Sequence, residues 1–140
     1  MIGAVVVSHG IHATGLVQAA EIIVGKMEGV VAVDMTPSMG MEDIRKAVEM
    51  AIQSVDKGEG VLIMTDMFGG TPSNIALSFL GTHSVEVITG VNLPMMVKLP
   101  YARQSMSLSE LVHHLQECGR LNITIPGDML KKKPEKPSKK

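Results

Sequence analysis

Residues 60–80 read GVLIMTDMFGGTPSNIALSFL. Gly60 opens a short apolar run, Val61 to Thr65, that carries no charge and shows no polar alternation. Such a run is the signature of a strand buried on both faces, the kind found in parallel sheets. It ends in Asp66-Met67-Phe68-Gly69-Gly70. Thr71-Pro72 then has the form of a helix start, with Thr as N-cap and Pro at the first helical position, and the helix is predicted to reach about Leu80. Strand, glycine turn and helix make half of a βαβ unit, and the same order recurs on both sides.

Upstream, Ile2 to Val7 is a second β-branched run, closed by Ser8-His9-Gly10. Thr14 to Met27 follows with apolar residues at Leu16, Val17, Ala20, Ile23 and Val24, a helical spacing. Gly29 precedes the run Val30 to Val33, and Met41 to Val55 repeats the helical pattern through Ile44, Ala47, Val48, Ala51, Ile52 and Val55. Downstream, Ser84 to Ile88 reads as a strand ending at Thr89-Gly90. Asn92 to Arg103 reads as a helix with Pro94 in its first turn, and Leu108 to Cys118 as another helix. Leu121 to Ile125 reads as a last short strand, after which Pro126 and Gly127 end regular structure. This alternation predicts a single-domain α/β fold, a doubly wound, mostly parallel sheet with helices on both faces. Residues 1–127 are expected to form that domain, and the lysine/proline-rich stretch 128–140 a disordered tail.

The composition fits this reading and narrows the function. Apolar residues make up 45% of 140, but aromatics only 2%, so the core must be built from Val, Ile, Leu, Ala and Met. Cys118 stands alone and can form no internal disulfide; it is expected to be a small apolar residue. The opening MIGAVVVSHG has no basic segment, and its apolar run is too short for a signal core or a membrane span, so the cytoplasm is the expected location. Six of the thirteen basic residues fall in 131–140 with one acidic residue, leaving the other 130 residues with a net charge of −6. An acidic body with one Tyr, two Phe and no Trp argues against nucleic acid, which calls for a basic face and stacking platforms. The basic tail is expected to be solvated, with no amphipathic stretch to bring it to a membrane.

In open parallel sheets ligands bind outside the carboxyl ends of the strands. The first strand delivers His9 there, the second Asp34 and Thr36, the third Asp66 with Gly69, Gly70 and Thr71, and the fourth Thr89 to Asn92. His9 is the only histidine at such a position. A neutral imidazole can attack phosphorus at neutral pH, given an unperturbed pKa of about 6.5. A carboxylate that accepts from its second nitrogen fixes the tautomer, and Asp66 is the candidate. Gly69, Gly70 and Thr71 would offer phosphate-binding N–H groups at a helix start. Taken singly, each has a plainer role: a polar loop residue, a turn residue, an ordinary strand-to-helix turn. Their joint placement on one sheet edge favours a phosphoryl-bearing site. His12 makes an H-x-x-H spacing with His9, but no cysteine or acidic cluster accompanies it, so no metal is expected. His83, His113 and His114 are given structural roles, and no cofactor is expected.

At these same residues the chain resembles the EIIA components of mannose-family sugar phosphotransferase systems. The resemblance runs from Ile2 to about residue 125, through VVVSHG (Val5 to Gly10), AEIIVG (Ala20 to Gly25), VLIMTDMFGGTPSN (Val61 to Asn74) and ITGVNLPMMVKL (Ile88 to Leu99). It implies that His9 accepts a phosphoryl group from the phosphocarrier HPr and passes it to an EIIB partner, with Asp66 bonded to His9 and Thr71 steadying the phosphate. It implies a homodimer whose last strand joins the partner's sheet, and contact with the membrane only indirectly, through the transporter complex. Phe68 stands where some members carry Trp, and Thr71 where some carry Ser. Some members continue into an EIIB domain; here EIIB is expected to be a separate polypeptide. The alternatives are a phosphoryl-carrier subunit serving dihydroxyacetone kinase and a non-catalytic nucleotide- or flavin-binding module. Against the module, no spaced G-x-G-x-x-G follows the first strand.

Overall fold

A computed structural model describes residues 1–81 and 84–131. Within them the chain runs β1 (Gly3–His9), α1 (His12–Val24), β2 (Val30–Met35), α2 (Met41–Val55), β3 (Val61–Thr65), α3 (Thr71–Leu77), β4 (Val85–Thr89), α4 (Leu93–Ala102), α5 (Leu108–Leu121) and α6 (Pro126–Lys131). The strands form one sheet in the order β2-β1-β3-β4, and every pairing is parallel. The expected doubly wound α/β fold is present, as an all-parallel sheet.

The unbroken apolar runs lie at the centre, as their sequence requires. Ala4 to Val7 of β1 and Val61 to Met64 of β3 are wholly shielded from water. Alternate side chains leave the sheet on opposite faces. Ala4, Val6, Leu62 and Met64 pack beneath α1, α4 and α5, whereas Val5, Val7, Val61 and Ile63 pack beneath α2 and α3. The connection β1 to β2 and the connection from β2 back across β1 to β3 advance in opposite directions, so one handedness puts α1 and α2 on opposite faces. Each buried Val, Leu or Ile contributes about 2 kcal/mol, and these two clusters dominate the stability. The close seat of α2 depends on Gly3, where a Cβ would fall 2.4 Å from the Val55 carbonyl oxygen.

Three expectations need correction. Leu121 to Ile125 forms no strand: α5 continues through Leu121, Asn122 closes it with its N–H on the Cys118 carbonyl at 3.2 Å, and residues 122–125 are irregular and exposed. A strand needs a paired partner, and none of the described strands pairs with this segment, whereas helical hydrogen bonds form locally up to Leu121. Regular structure does not stop at Pro126 and Gly127; Pro126 opens α6, in keeping with the preference of proline for a first helical turn. Thr71 is not the N-cap of α3. Gly70 caps it without a side-chain bond, and the helix ends at Leu77 in turns that reach Leu80. The readings of His83 and of residues 132–140 lie outside the described residues.

Candidate functional site

Strands β1 and β3 are neighbours, with Val7 level with Thr65. The residues that follow each pairing therefore emerge side by side, and His9 meets Asp66. His9 Nδ1 lies 2.7 Å from Asp66 Oδ2, and the His9 backbone N–H donates to the same oxygen at 3.0 Å. Ser8 Oγ also donates to Oδ2, at 2.9 Å, while Oδ1 accepts from the Met67 N–H. A carboxylate can only accept, so the ring nitrogen facing it carries a proton, and in the neutral ring Nε2 is the nitrogen that keeps its lone pair. The His9 side chain is 50% exposed against 16% for Asp66, which leaves Nε2 available to an incoming group.

Burial acts first on the Asp66 carboxyl and would raise its pKa. Hydrogen bonds from the His9 backbone, the His9 ring and the Ser8 hydroxyl, with the positive charge His9 can carry, outweigh burial and bring it down to about 2. The anion that orients the imidazole is therefore permanent at any working pH.

Gly70 closes the far side. A Cβ there would lie 3.1 Å from His9 Cε1 and 3.7 Å from Nε2, so the Gly70 backbone passes directly against the reactive edge of the ring. Gly69 holds a positive φ of 96°, a conformation glycine adopts without strain. Among the described residues, the N–H groups of Gly69, Gly70 and Thr71 donate to no protein acceptor. The structure thus brings His9, Asp66 and Gly70 into contact. Gly69 and Thr71 flank Gly70 in the chain, and the Thr71 side chain makes no hydrogen bond among the described residues.

Two polar partners escaped the sequence reading. Ser8 lies in the shielded run of β1 and reaches Asp66, and His12 Nδ1 sits 2.6 Å from Ser8 Oγ. The four-residue spacing across the strand-to-helix turn was the available signal. Asp34, at the carboxyl end of β2, anchors α1 by accepting from the Thr14 N–H and hydroxyl at 3.0 and 2.5 Å. His113 is exposed and bonded to the Ser109 carbonyl, and Cys118 is half-buried. No cluster of three or more metal-ligating side chains occurs among the described residues, and no described helix is long and apolar enough to cross a membrane.

Around His9 the surface is open and apolar: Ile11 is 78% exposed, Phe68 72% and Met67 55%. Sizeable hollows among the described residues lie elsewhere. One of about 410 Å³ runs between β4 and α5 and includes neither His9 nor Asp66. A reactive nitrogen on an open apolar face, not in a cavity, suits a macromolecular reaction partner better than a small ligand, which is normally enclosed.

The chain matches, over residues 3–116, a family model described as the fructose IIA component of the phosphotransferase system, EIIA-man. It is similar to the sorbose-specific EIIA component of Lacticaseibacillus casei, at 32% identity over 81% of this chain and 82% of that protein. It is also similar to the mannose-specific EIIAB component of Escherichia coli K12, at 34% identity over 87% of this chain but only 38% of that longer protein. Among solved structures, the EIIA component from Streptococcus agalactiae superposes with a TM-score of 0.84 at 25% identity, covering 91% of this chain and 99% of that one.

Proposed function

The chain belongs to the EIIA-man family of phosphotransferase-system components, and from that premise we propose that it carries a phosphoryl group transiently on His9 Nε2. The observation that carries this reading is the double grip of Asp66 Oδ2 on the His9 ring and backbone, at 2.7 and 3.0 Å. It fixes the tautomer with Nδ1 protonated and Nε2 bare. The Nε2 lone pair attacks the phosphorus of a phosphohistidine donor; the donor's P–N bond breaks and its electron pair returns to the donor nitrogen. The Nδ1 proton stays on the imidazole, donated in a hydrogen bond to Asp66, whose negative charge stabilises the phosphoimidazole. No proton is lost or gained overall. The N–H groups of Gly69, Gly70 and Thr71, with the Thr71 hydroxyl, receive the phosphoryl oxygens. Transfer between two histidines is close to balanced in energy, so positioning and charge stabilisation supply the catalysis.

The donor in this reading is HPr and the acceptor an EIIB protein, both docking on the apolar rim of Ile11, Met67 and Phe68. The sugar-system relatives favour this over a role beside dihydroxyacetone kinase. The protein works as a cytoplasmic homodimer, supported by exposed Leu121, Ile123 and Ile125 at and after the end of α5, which packs on β4, a strand with a neighbour on one side only among the described residues. Phosphoenolpyruvate labelling through the upstream enzyme and HPr tests the carrier role. We expect label on His9, none on His9→Ala, and slower acceptance, by on the order of a hundredfold, in Asp66→Ala. Label retained by His9→Ala would overturn the assignment.

A further inference from the structure

Behind the Asp66 carboxylate stands a second imidazole. Ser8 is wholly buried, and its Oγ lies 2.9 Å from Asp66 Oδ2 and 2.6 Å from His12 Nδ1. Counting protons fixes the direction of both bonds. The hydroxyl owns one hydrogen, and the ionised carboxylate can only accept, so Ser8 donates to Asp66. The hydroxyl lone pair then faces His12 Nδ1, which must carry a hydrogen and donate. The opposite tautomer would press two lone pairs together at 2.6 Å. The chain therefore runs from His12 Nδ1–H to Ser8, from Ser8 to Asp66 Oδ2, and the same oxygen accepts from His9 Nδ1–H at 2.7 Å. The turn from β1 into α1 supplies the spacing: His12 is the first residue of α1, and its ring reaches back to Ser8. Asp34, the acidic residue beside this turn on β2, is occupied by Thr14 and does not compete for His12.

We propose that His12 is a positioning residue for phosphoryl acceptance, acting through the Ser8 hydroxyl to hold Asp66 in the orientation that sets the His9 tautomer. Its hydrogen bond goes to Ser8 and not to His9. Hydrogen bonds in a chain polarise one another, so donation from His12 strengthens the Ser8–Asp66 bond and keeps the hydroxyl from rotating away. The proposal rests on His9 as the acceptor.

Two measurements on the full chain test it. Long-range proton–nitrogen correlation at about pH 8, above the ordinary imidazole range, reads the tautomers directly; we expect the His12 proton on Nδ1. Single-turnover acceptance from phosphorylated HPr is then compared across variants. His12→Ala and Ser8→Ala should each slow acceptance by about three- to tenfold, the scale of one lost hydrogen bond. The double variant should be no slower than Ser8→Ala alone. His12→Asn, whose amide can donate to Ser8, should recover to within about twofold of the natural protein. A His12 proton found on Nε2, or a His12→Ala loss that persists undiminished in the Ser8→Ala background, would overturn the proposal. If the natural protein took no label at His9, the carrier reading would fail instead, and the tautomer measurement, which needs no donor, would still judge the relay.

Discussion

Asp66 Oδ2 accepts from three donors, the His9 ring, the His9 backbone and the Ser8 hydroxyl, and this one oxygen ties stability to chemistry. With its pKa brought from 3.8 to about 2, the folded state holds the proton less tightly than the unfolded chain. Its contribution is therefore complete above about pH 4 and is lost as pH falls towards 2, a difference on the order of 2 kcal/mol. Urea unfolding of Asp66→Asn should show a flatter pH dependence across that window than the natural protein. Gly70→Ala gives a second test at this scale. The backbone there has φ −91°, which any residue adopts, so the new methyl acts only by pressing on His9 Cε1 at 3.1 Å. Phosphoryl acceptance should fall by about tenfold, with unfolding free energy changed by less than about 1 kcal/mol. His9 and Asp66 were legible because each closes an apolar run. Ser8 and His12 were not, because a serine at the end of a buried run shows its partners only once its rotation is known.

The helices divide into those whose ends were written locally and those whose ends were not. Asn92 caps α4 by accepting from the Met95 N–H at 3.2 Å, and its amide donates to the Gly119 carbonyl at 3.1 Å. One side chain thus starts α4 and ties it to the end of α5. Asn92→Ala should cost about 1–2 kcal/mol by loss of the cap and the cross-link, read as a shift in the urea midpoint. Ser107 and Glu110 form a reciprocal capping box at the start of α5. The start of α3 misled because Thr71-Pro72 fits a capped helix start, yet Gly70 already supplies the extended N-cap and Thr71 becomes the first helical residue. The stretch Leu121 to Ile125 misled for another reason. Its β-branched residues suit a strand, but α5 takes Leu121 and residues 122–125 pair with none of the described strands.

Over the whole molecule, two apolar surfaces stand apart: the rim about His9, and the face formed by α5, α6 and the segment between them. The second includes Leu121 at 67% exposure and Ile123 at 76%, large apolar side chains of the kind a partner surface covers. Sedimentation equilibrium should return a dimer mass. Paired substitution of Ile123 and Ile125 by Asp should shift the mass towards a monomer while phosphoryl acceptance at His9 persists. A natural protein that sediments as a monomer at micromolar concentration would remove the dimer from the reading.

What the sequence determined by itself was the order of the elements, the parallel α/β class and the set of residues delivered to the carboxyl edge. Strands buried on both faces must be continuously apolar, and the first polar residue after each marks where that strand leaves the core. The tertiary structure alone decided that Nδ1 is the nitrogen of His9 that faces Asp66, that His12 stands behind Asp66 through Ser8, and that no fifth strand forms in the described chain. Each of these depends on which distant segment supplies the partner for a hydrogen bond, and no local pattern of residues encodes that choice.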